Sequence, residues 1–361
     1  MQKKHIAVAM LAACGGSASA QTSVTIYGIA DAALVRESGG AAGGVNKITS
    51  GAASASRLGF RGSEDLGGGL SAIFTLETGY KIDTGDIDAA GTIFNRQAIV
   101  GLKSGAGTLT LGRQYTPYHT TLANVADPFG TGYAGTSKNL FPDSGTNVRT
   151  SNTVMYSATL PQGFSGEVAY SAGEQAGSST AGRQVGAAAG YSAGKLNVRL
   201  AYNNKNSDVA AAPGVTAVDR SAGINVLIAA NYDFGVAKAY AAYGKDHGFN
   251  AAPLGNATNP YRRAVAPAGS LDGDEILLGL SAPLGKGSLM ASVMRKNDKT
   301  ALNQDARAWG VAYLYPLSKR TGLYGAYGRI HNKNGAGYTV ANNSESGSGN
   351  TGLNLGARHS F

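Results

Sequence analysis

The sequence predicts an all-β protein closed into a sixteen-stranded antiparallel transmembrane β-barrel, and three observations carry that expectation. Leu, Val and aromatic residues recur at i, i+2, i+4 and almost never at the i, i+3, i+4 spacing of a helix. The alternating segments come in pairs, joined on one side by very short turns and on the other by long polar stretches. An export signal opens the chain, and no run of 18 apolar residues follows it, so any crossing of a membrane would have to be made by strands of about 9 to 11 residues.

The signal is Lys3 and Lys4, an apolar Ile6 to Ala13, and Ala18-Ser19-Ala20 as the small-residue cleavage site before Gln21. The expected organisation is therefore a signal peptide over 1–20 and one barrel domain over 21–361. Cys14, the single cysteine, falls inside the signal, and cleavage after Ala20 leaves no thiol. Leu11-Ala12-Ala13-Cys14-Gly15 also fits a lipoprotein cleavage box, a competing reading that the sequence leaves open.

In the first segment Val24, Ile26, Gly28, Ala30, Ala32 and Leu34 share one face, with Thr25, Tyr27 and Asp31 on the other. Arg57 and Arg61 next oppose Leu58 and Phe60, and beyond a Gly-rich turn Ile73, Thr75, Glu77 and Lys81 oppose Leu70, Ala72, Phe74 and Leu76. Short turns follow at about 63–69, 103–107, 161–163, 194–195, 233–235, 285–287 and 317–320. Long connections fall near 36–55, 82–93, 115–149, 173–184, 205–221, 246–273, 297–306 and 332–350. Fifteen connections join sixteen strands, with both termini on the short-turn side, the layout of a bacterial outer-membrane barrel.

The stretch from Gln114 to Arg149 is too long for a turn and carries Tyr115, Tyr118, Phe129, Tyr133 and Phe141, so it reads as a loop folded into the barrel. Alternation gives no direction. Lipid outside and water inside predict apolar-out, with Tyr80, Phe164, Tyr170, Tyr202, Tyr313, Tyr315 and Phe361 in interfacial girdles; a soluble sandwich would put the same aromatics in its core. In Phe94 to Leu102 and Val236 to Lys245 both faces are small or apolar, so the inward parity is unreadable there.

Loss of Lys3 and Lys4 takes the formal net charge from +9 to +7, but the basic residues are scattered, without the dense run of a nucleic-acid face. His119, His247, His331 and His359 have no metal-ligand spacing, so no metal or other cofactor is expected. The Gly190-Tyr191-Ser192-Ala193-Gly194 match to a nucleophile motif runs from strand to short turn instead of into a helix. Gly39 to Gly44 lies between strands, which gives no phosphate cradle, and Asp272-Gly273-Asp274-Glu275 lacks the spacing of a calcium loop and reads as a solvated loop end.

Several motifs together carry a family likeness. Ser23-Val24-Thr25-Ile26-Tyr27-Gly28, the run from Ser56-Arg57-Leu58-Gly59-Phe60-Arg61-Gly62 to Leu70, Asn95-Arg96-Gln97-Ala98 and Leu111-Gly112-Arg113-Gln114 appear in order. Tyr315-Pro316-Leu317-Ser318-Lys319-Arg320-Thr321 and the terminal Phe361 complete the set. The chain resembles the general porins of β-proteobacteria along its whole mature length.

The resemblance implies a homotrimeric outer-membrane channel, in contact with outer-membrane lipids, whose third loop narrows each pore. It implies an arginine cluster at Arg57, Arg96 and Arg149, faced by Asp127 in the loop tip Asp127-Pro128-Phe129-Gly130, passing small anions and hydrophilic solutes; Asp143, farther along the same loop, is a further candidate lining residue. Phe361, with His359, Ala357, Leu355 and Leu353 at alternate positions before it, resembles the signal read by the barrel-insertion machinery. Arg61, Lys81 and Asp31 share the lumen parity and are candidate lining residues. The alternatives are a substrate-specific outer-membrane channel, an outer-membrane hydrolase and a secreted β-rich binding protein.

Overall fold

The computed structural model describes residues 23–249, 251 and 256–361; the expected signal peptide over 1–20 lies outside the described residues. Among the described residues seventeen strand segments form one antiparallel sheet: β1 Ser23–Gly40, β2 Gly43–Ser50, β3 Arg57–Gly67, β4 Leu70–Gly79, β5 Gln97–Ser104, β6 Gly107–Tyr115, β7 Arg149–Thr159, β8 Phe164–Ser171 and β9 Gln184–Ala193. They continue with β10 Leu196–Lys205, β11 Gly223–Asp233, β12 Lys238–His247, β13 Asp272–Leu284, β14 Gly287–Asp298, β15 Ala306–Pro316, β16 Thr321–Asn332 and β17 Thr351–Ser360. β17 pairs with β1, from Ile29 opposite Ser360 to Ser38 opposite Thr351, so the sheet closes. The backbone of Phe361 completes the seam by exchanging two hydrogen bonds with Gly28, at 3.0 and 3.1 Å.

The segments make sixteen barrel strands because β2 and β3 are the two halves of one. β3 pairs with the first part of β1 (Ser23–Ile29) and β2 with the second (Ala32–Gly40). Residues 51–56 leave the sheet between them. Much of the loop expected over 36–55 is therefore strand, with a tight turn at 41–42. Asp31 is the reason the break is stable. Its carboxylate accepts the Ser54 N–H at 3.0 Å and the Tyr324 hydroxyl at 2.6 Å, while its own backbone bonds Gly51 and Ser56. Asp31 points inward as its parity predicts but is fully buried, so it is a staple and does not line the pore.

The seven short turns fall where the pattern placed them, and direction follows burial. Val24, Ile26, Leu34, Val100, Leu111, Val168, Leu200, Leu278, Val293 and Leu355 are exposed on the outer wall, whereas Glu77, Asn203, Asn225, Asn231, Asp246 and Lys296 are buried inside. This is the inverse of a soluble barrel, as lipid outside and polar contents inside require. Ringed pairs mark both edges of the apolar band: Phe164 with Tyr191 (4.8 Å) and Tyr232 with Phe234 (4.7 Å) toward the turns, Trp309 with Tyr327 (5.4 Å) toward the loops.

The connection over 116–148 is folded into the barrel. Thr116 caps helix α1 (Pro117–Thr121), accepting the His119 N–H, and one π-helical turn, Leu122–Ala126, follows. This stretch packs along β8 to β12, held by Arg199 to Thr121 and by Asn231 to the Val125 carbonyl, both 2.9 Å. Farther on, the loop reaches wall glycines. A Cβ on Gly310 would stand 2.2 Å from the Gly135 Cα, and one on Gly328 2.1 Å from the Ala134 oxygen. Gly310→Val should therefore expel the loop from the wall while leaving the barrel closed, and single-channel recordings should show larger, noisier openings than wild type.

The connection over 333–350 also folds inward. Asn343 receives the Ala55 N–H (2.9 Å) and donates to the Thr131 carbonyl (3.2 Å), joining this loop to the strand break and to the inward loop.

Candidate functional site

The inward loop leaves a cavity of about 610 Å³ between itself and the wall made by β3 to β7. Four arginines on that side line it: Arg57 at the start of β3, Arg96 just before β5, Arg113 near the end of β6 and Arg149 at the start of β7. The structure thus brings together the three expected arginines and adds Arg113.

Two irregularities in the sheet aim these side chains. Val100 and Leu102 face out, so strict alternation would put Arg96 outside as well. β5 begins only at Gln97, and the preceding chain swings the guanidinium inward, where it is almost fully buried. Between β6 and β7 the register shifts, two steps on β6 from Gly112 to Gln114 facing three on β7 from Thr153 to Thr150, and Gly112 sits at φ 124°, a conformation that favours glycine. Arg113 and Tyr115 beyond it both line the cavity.

Glu77 on β4 and Tyr115 hold the cluster together. Arg96 Nε donates to Glu77 Oε1 at 2.7 Å and Arg57 approaches the same oxygen at 3.8 Å, while Tyr27 donates to Oε2 at 2.9 Å. The Tyr115 hydroxyl accepts from Arg96 (2.6 Å) and from Arg149 (2.8 Å). The Arg149 guanidinium lies over its ring, 4.4 Å from the centroid, and the His119 ring stacks on it at 5.0 Å and 12°. Arg113 is tied to the Asn95 carbonyl (2.6 Å) and to Ser151 (3.0 Å). These contacts fix cations that would otherwise repel one another and scatter.

Across the cavity the loop presents Lys138 and Asp143. Asp143 takes a 2.7 Å contact from His119 Nδ1; burial would raise its carboxyl, but His119, Lys138 and Arg149 outweigh that and hold it below the usual carboxylate range. Lys138 donates to the Asn343 carbonyl at 2.8 Å. Five basic side chains line the cavity against three acidic ones, Asp88, Asp143 and Glu345, and the balance stays positive when Glu77 behind the arginines is counted. Guanidinium groups that stay charged and interact across a few ångströms can select ions by sign.

Asp127 does not face the arginines. Its carboxylate accepts the backbone N–H groups of Phe129 (2.9 Å), Thr131 (3.0 Å) and Ser137 (2.9 Å), so it organises the loop tip from within and is absent from the cavity wall. A short Asx-type turn at Asp-Pro-Phe-Gly was the available signal for this. Arg61 is exposed farther toward the turns, over the Tyr27 ring at 5.1 Å, and Lys81 is exposed in the 80–96 connection beside a smaller cavity with Asp83 and Glu345. Neither joins the cluster. Glu77 and Tyr115 are the residues that sequence reasoning passed over: each was placed on a face or in the loop, but a pairing between strands far apart in sequence has no local signature.

The other sequence motifs resolve structurally. Ser192 hydrogen-bonds Asn197 across the two-residue turn between β9 and β10, with no helix following. Asp272 to Glu275 begin β13 and do not form a loop end. Asp274 pairs with Lys299 at 2.7 Å, and Glu275 is buried on Lys296.

Comparison with known proteins agrees with this architecture. The Gram-negative porin family model matches residues 7–335. An outer membrane porin protein of Bordetella pertussis is 32% identical and outer membrane porin protein 32 of Delftia acidovorans 31% identical, each over the full length of both chains. Among solved structures, an anion-selective porin from Comamonas acidovorans superposes with a TM-score of 0.76 at 28% identity, covering 94% of this chain and all of that one. Barrel, inward loop and whole-length likeness converge, and the chain belongs to the Gram-negative porin family.

Proposed function

We propose that the protein is a general diffusion channel of the outer membrane that passes small hydrophilic solutes and ions with a preference for anions, and that it works as a homotrimer. The observation that carries this reading is the cavity wall on which Arg57, Arg96, Arg113 and Arg149 are held in place, with basic groups outnumbering acidic ones. At 4 Å a unit charge is worth about 1 kcal/mol in bulk water and about 4 kcal/mol at an effective dielectric near 20, enough to favour one sign of ion several-fold. The selectivity of the Comamonas acidovorans relative is consistent with it.

The channel reading needs no cofactor and no reactive side chain, and the arginines supply neither a nucleophile nor a proton carrier. Phe361 closes the seam through its backbone, and we assign its exposed ring to recognition by the barrel-insertion machinery. Cleavage of a signal over 1–20 belongs to the same proposal.

The test is reversal potential in planar bilayers across a salt gradient, together with conductance against solute concentration. An anion-favouring potential at about 0.1 M salt that shrinks toward 1 M, where the Debye length falls to roughly 3 Å, is the expected result. Cation preference would refute the selectivity, and saturation by one solute would favour a substrate-specific channel instead.

A further inference from the structure

The inward loop sets one side chain of variable charge beside the arginine wall. His119 of α1 is the only histidine lining the cavity among the described residues. Its Nδ1 lies 2.7 Å from Asp143 Oδ1. That is the single hydrogen bond of the Asp143 carboxylate among the described residues, because Oδ2 is buried without a partner. The His119 side chain is 12% exposed and that of Asp143 0%, so the pair meets the water of the pore through the imidazole.

The charge of this pair can change without movement. Thr116 Oγ1 holds the His119 N–H at 3.1 Å and the ring is stacked on Tyr115. A neutral imidazole protonated at Nδ1 donates to Asp143 just as an imidazolium does. Nε2 makes no hydrogen bond within the protein among the described residues, which leaves it to exchange a proton with cavity water. With that proton the pair is neutral, and without it the pair carries the negative charge of Asp143. Asp143, held below the usual carboxylate range by His119, Lys138 and Arg149, stays ionised in either case.

We propose that His119 is a further specificity-determining residue of the channel: by taking up or releasing a proton it masks or uncovers Asp143 on the loop that faces the arginine wall, so that the pore favours anions more strongly in acid. The sign follows from the charge, since protonation adds +1 at the constriction and the arginines do not titrate. Around the ring stand Tyr115 from β6, Arg149 from β7 and Lys138 from the loop itself, whose ammonium burial pushes down. Asp88 and Glu345 share the cavity. None of these needs the His119 side chain to follow pH, and that separates their effect from its own.

The experiment is reversal potential of the full-length channel in planar bilayers across a salt gradient near about 0.1 M, at about pH 8 and about pH 5, the interval over which histidine as a residue type changes charge. Wild type should favour anions up to about fivefold more at the lower pH, the factor for about 1 kcal/mol, a unit charge at 4 Å in water. His119→Gln, which keeps a donor toward Asp143 but takes up no proton, should lose that rise. Asp143→Asn should already show at the higher pH the preference that wild type reaches only at the lower one, a result that a purely structural role would not give. Heat-modifiable gel migration reports that each variant is folded.

A wild-type preference that ignores pH, a rise that survives in His119→Gln, or an Asp143→Asn channel that matches wild type at the higher pH would each overturn the proposal. The inference rests on the anion-channel reading, yet the two fail differently. Cation preference of wild type at both pH values would sink that reading, whereas a shift toward anions in acid that requires His119 would still uphold the role of the pair.

Discussion

Arg96→Ala will cost the channel more of its anion preference than Arg149→Ala, although each removes one positive charge. Arg149 reaches Tyr115 and no carboxylate accepts from it, so its loss subtracts a single charge from the wall. Arg96 masks Glu77 through the 2.7 Å contact. Without it Glu77 keeps the Tyr27 hydroxyl and an Arg57 nitrogen at 3.8 Å, and a largely buried carboxylate is uncovered beside the pore. The Arg96–Glu77 pair then goes from neutral to a net charge of −1, so a carboxylate that attracts cations stands at the wall where a neutral pair stood. Breaking a buried pair from one side also costs about 3 to 5 kcal/mol, so Arg96→Ala should lower the unfolding temperature where Arg149→Ala does not. Glu77→Gln in the Arg96→Ala background should recover most of both losses. Reversal potentials at about 0.1 M salt decide the matter, and equal shifts for the two single variants would show that Glu77 is not electrostatically part of the pore.

Asp127→Ala should change how the channel gates and leave its selectivity alone. Three buried backbone N–H groups lose their acceptor at once, each at about 1 to 3 kcal/mol when left unpaired. The tip from Phe129 to Ser137 should loosen, and with it the contacts of Gly135 and Ala134 to the wall at Gly310 and Gly328. Bilayer recordings should show flickering and a larger mean conductance, with reversal potential within error of wild type. A clear rise in anion preference would mean instead that Asp127 acts on permeating ions, against the burial of its carboxylate in the loop. Asp127→Asn is the milder form of the same test, because the amide keeps one acceptor oxygen.

The architecture was legible because it is enforced by short-range rules. Strand alternation, seven short turns and the length of 115–149 each follow from a few neighbouring residues, and the porin-like motifs pointed to Arg57, Arg96 and Arg149, which the structure places along one cavity. The 36–55 region was misread as loop because Gly39 to Gly44 disguises a turn of only two residues between β1 and β2. Asp31 followed its parity into the barrel, yet parity cannot show that residues 51–56 fold over it.

By itself, then, the sequence determined a closed barrel with an inward loop, since a repeat of two and the need to satisfy every backbone group in lipid leave little choice. The tertiary structure decided which charges meet. Glu77 lies 19 residues from Arg96 and Tyr115 lies 34 from Arg149, and no local pattern pairs them. The register shift between β6 and β7 beside Gly112 and the late start of β5 turn Arg113 and Arg96 against the alternation that a sequence displays. Asp127 was drawn into its own loop because three backbone N–H groups on the spot outcompete arginines on the far side of a water-filled opening. Strand register alone set Arg295 against Arg307 on the outer wall. Side chains inherit their facing from the sequence, but their partners come from closure of the barrel, which joins residues that the chain keeps far apart.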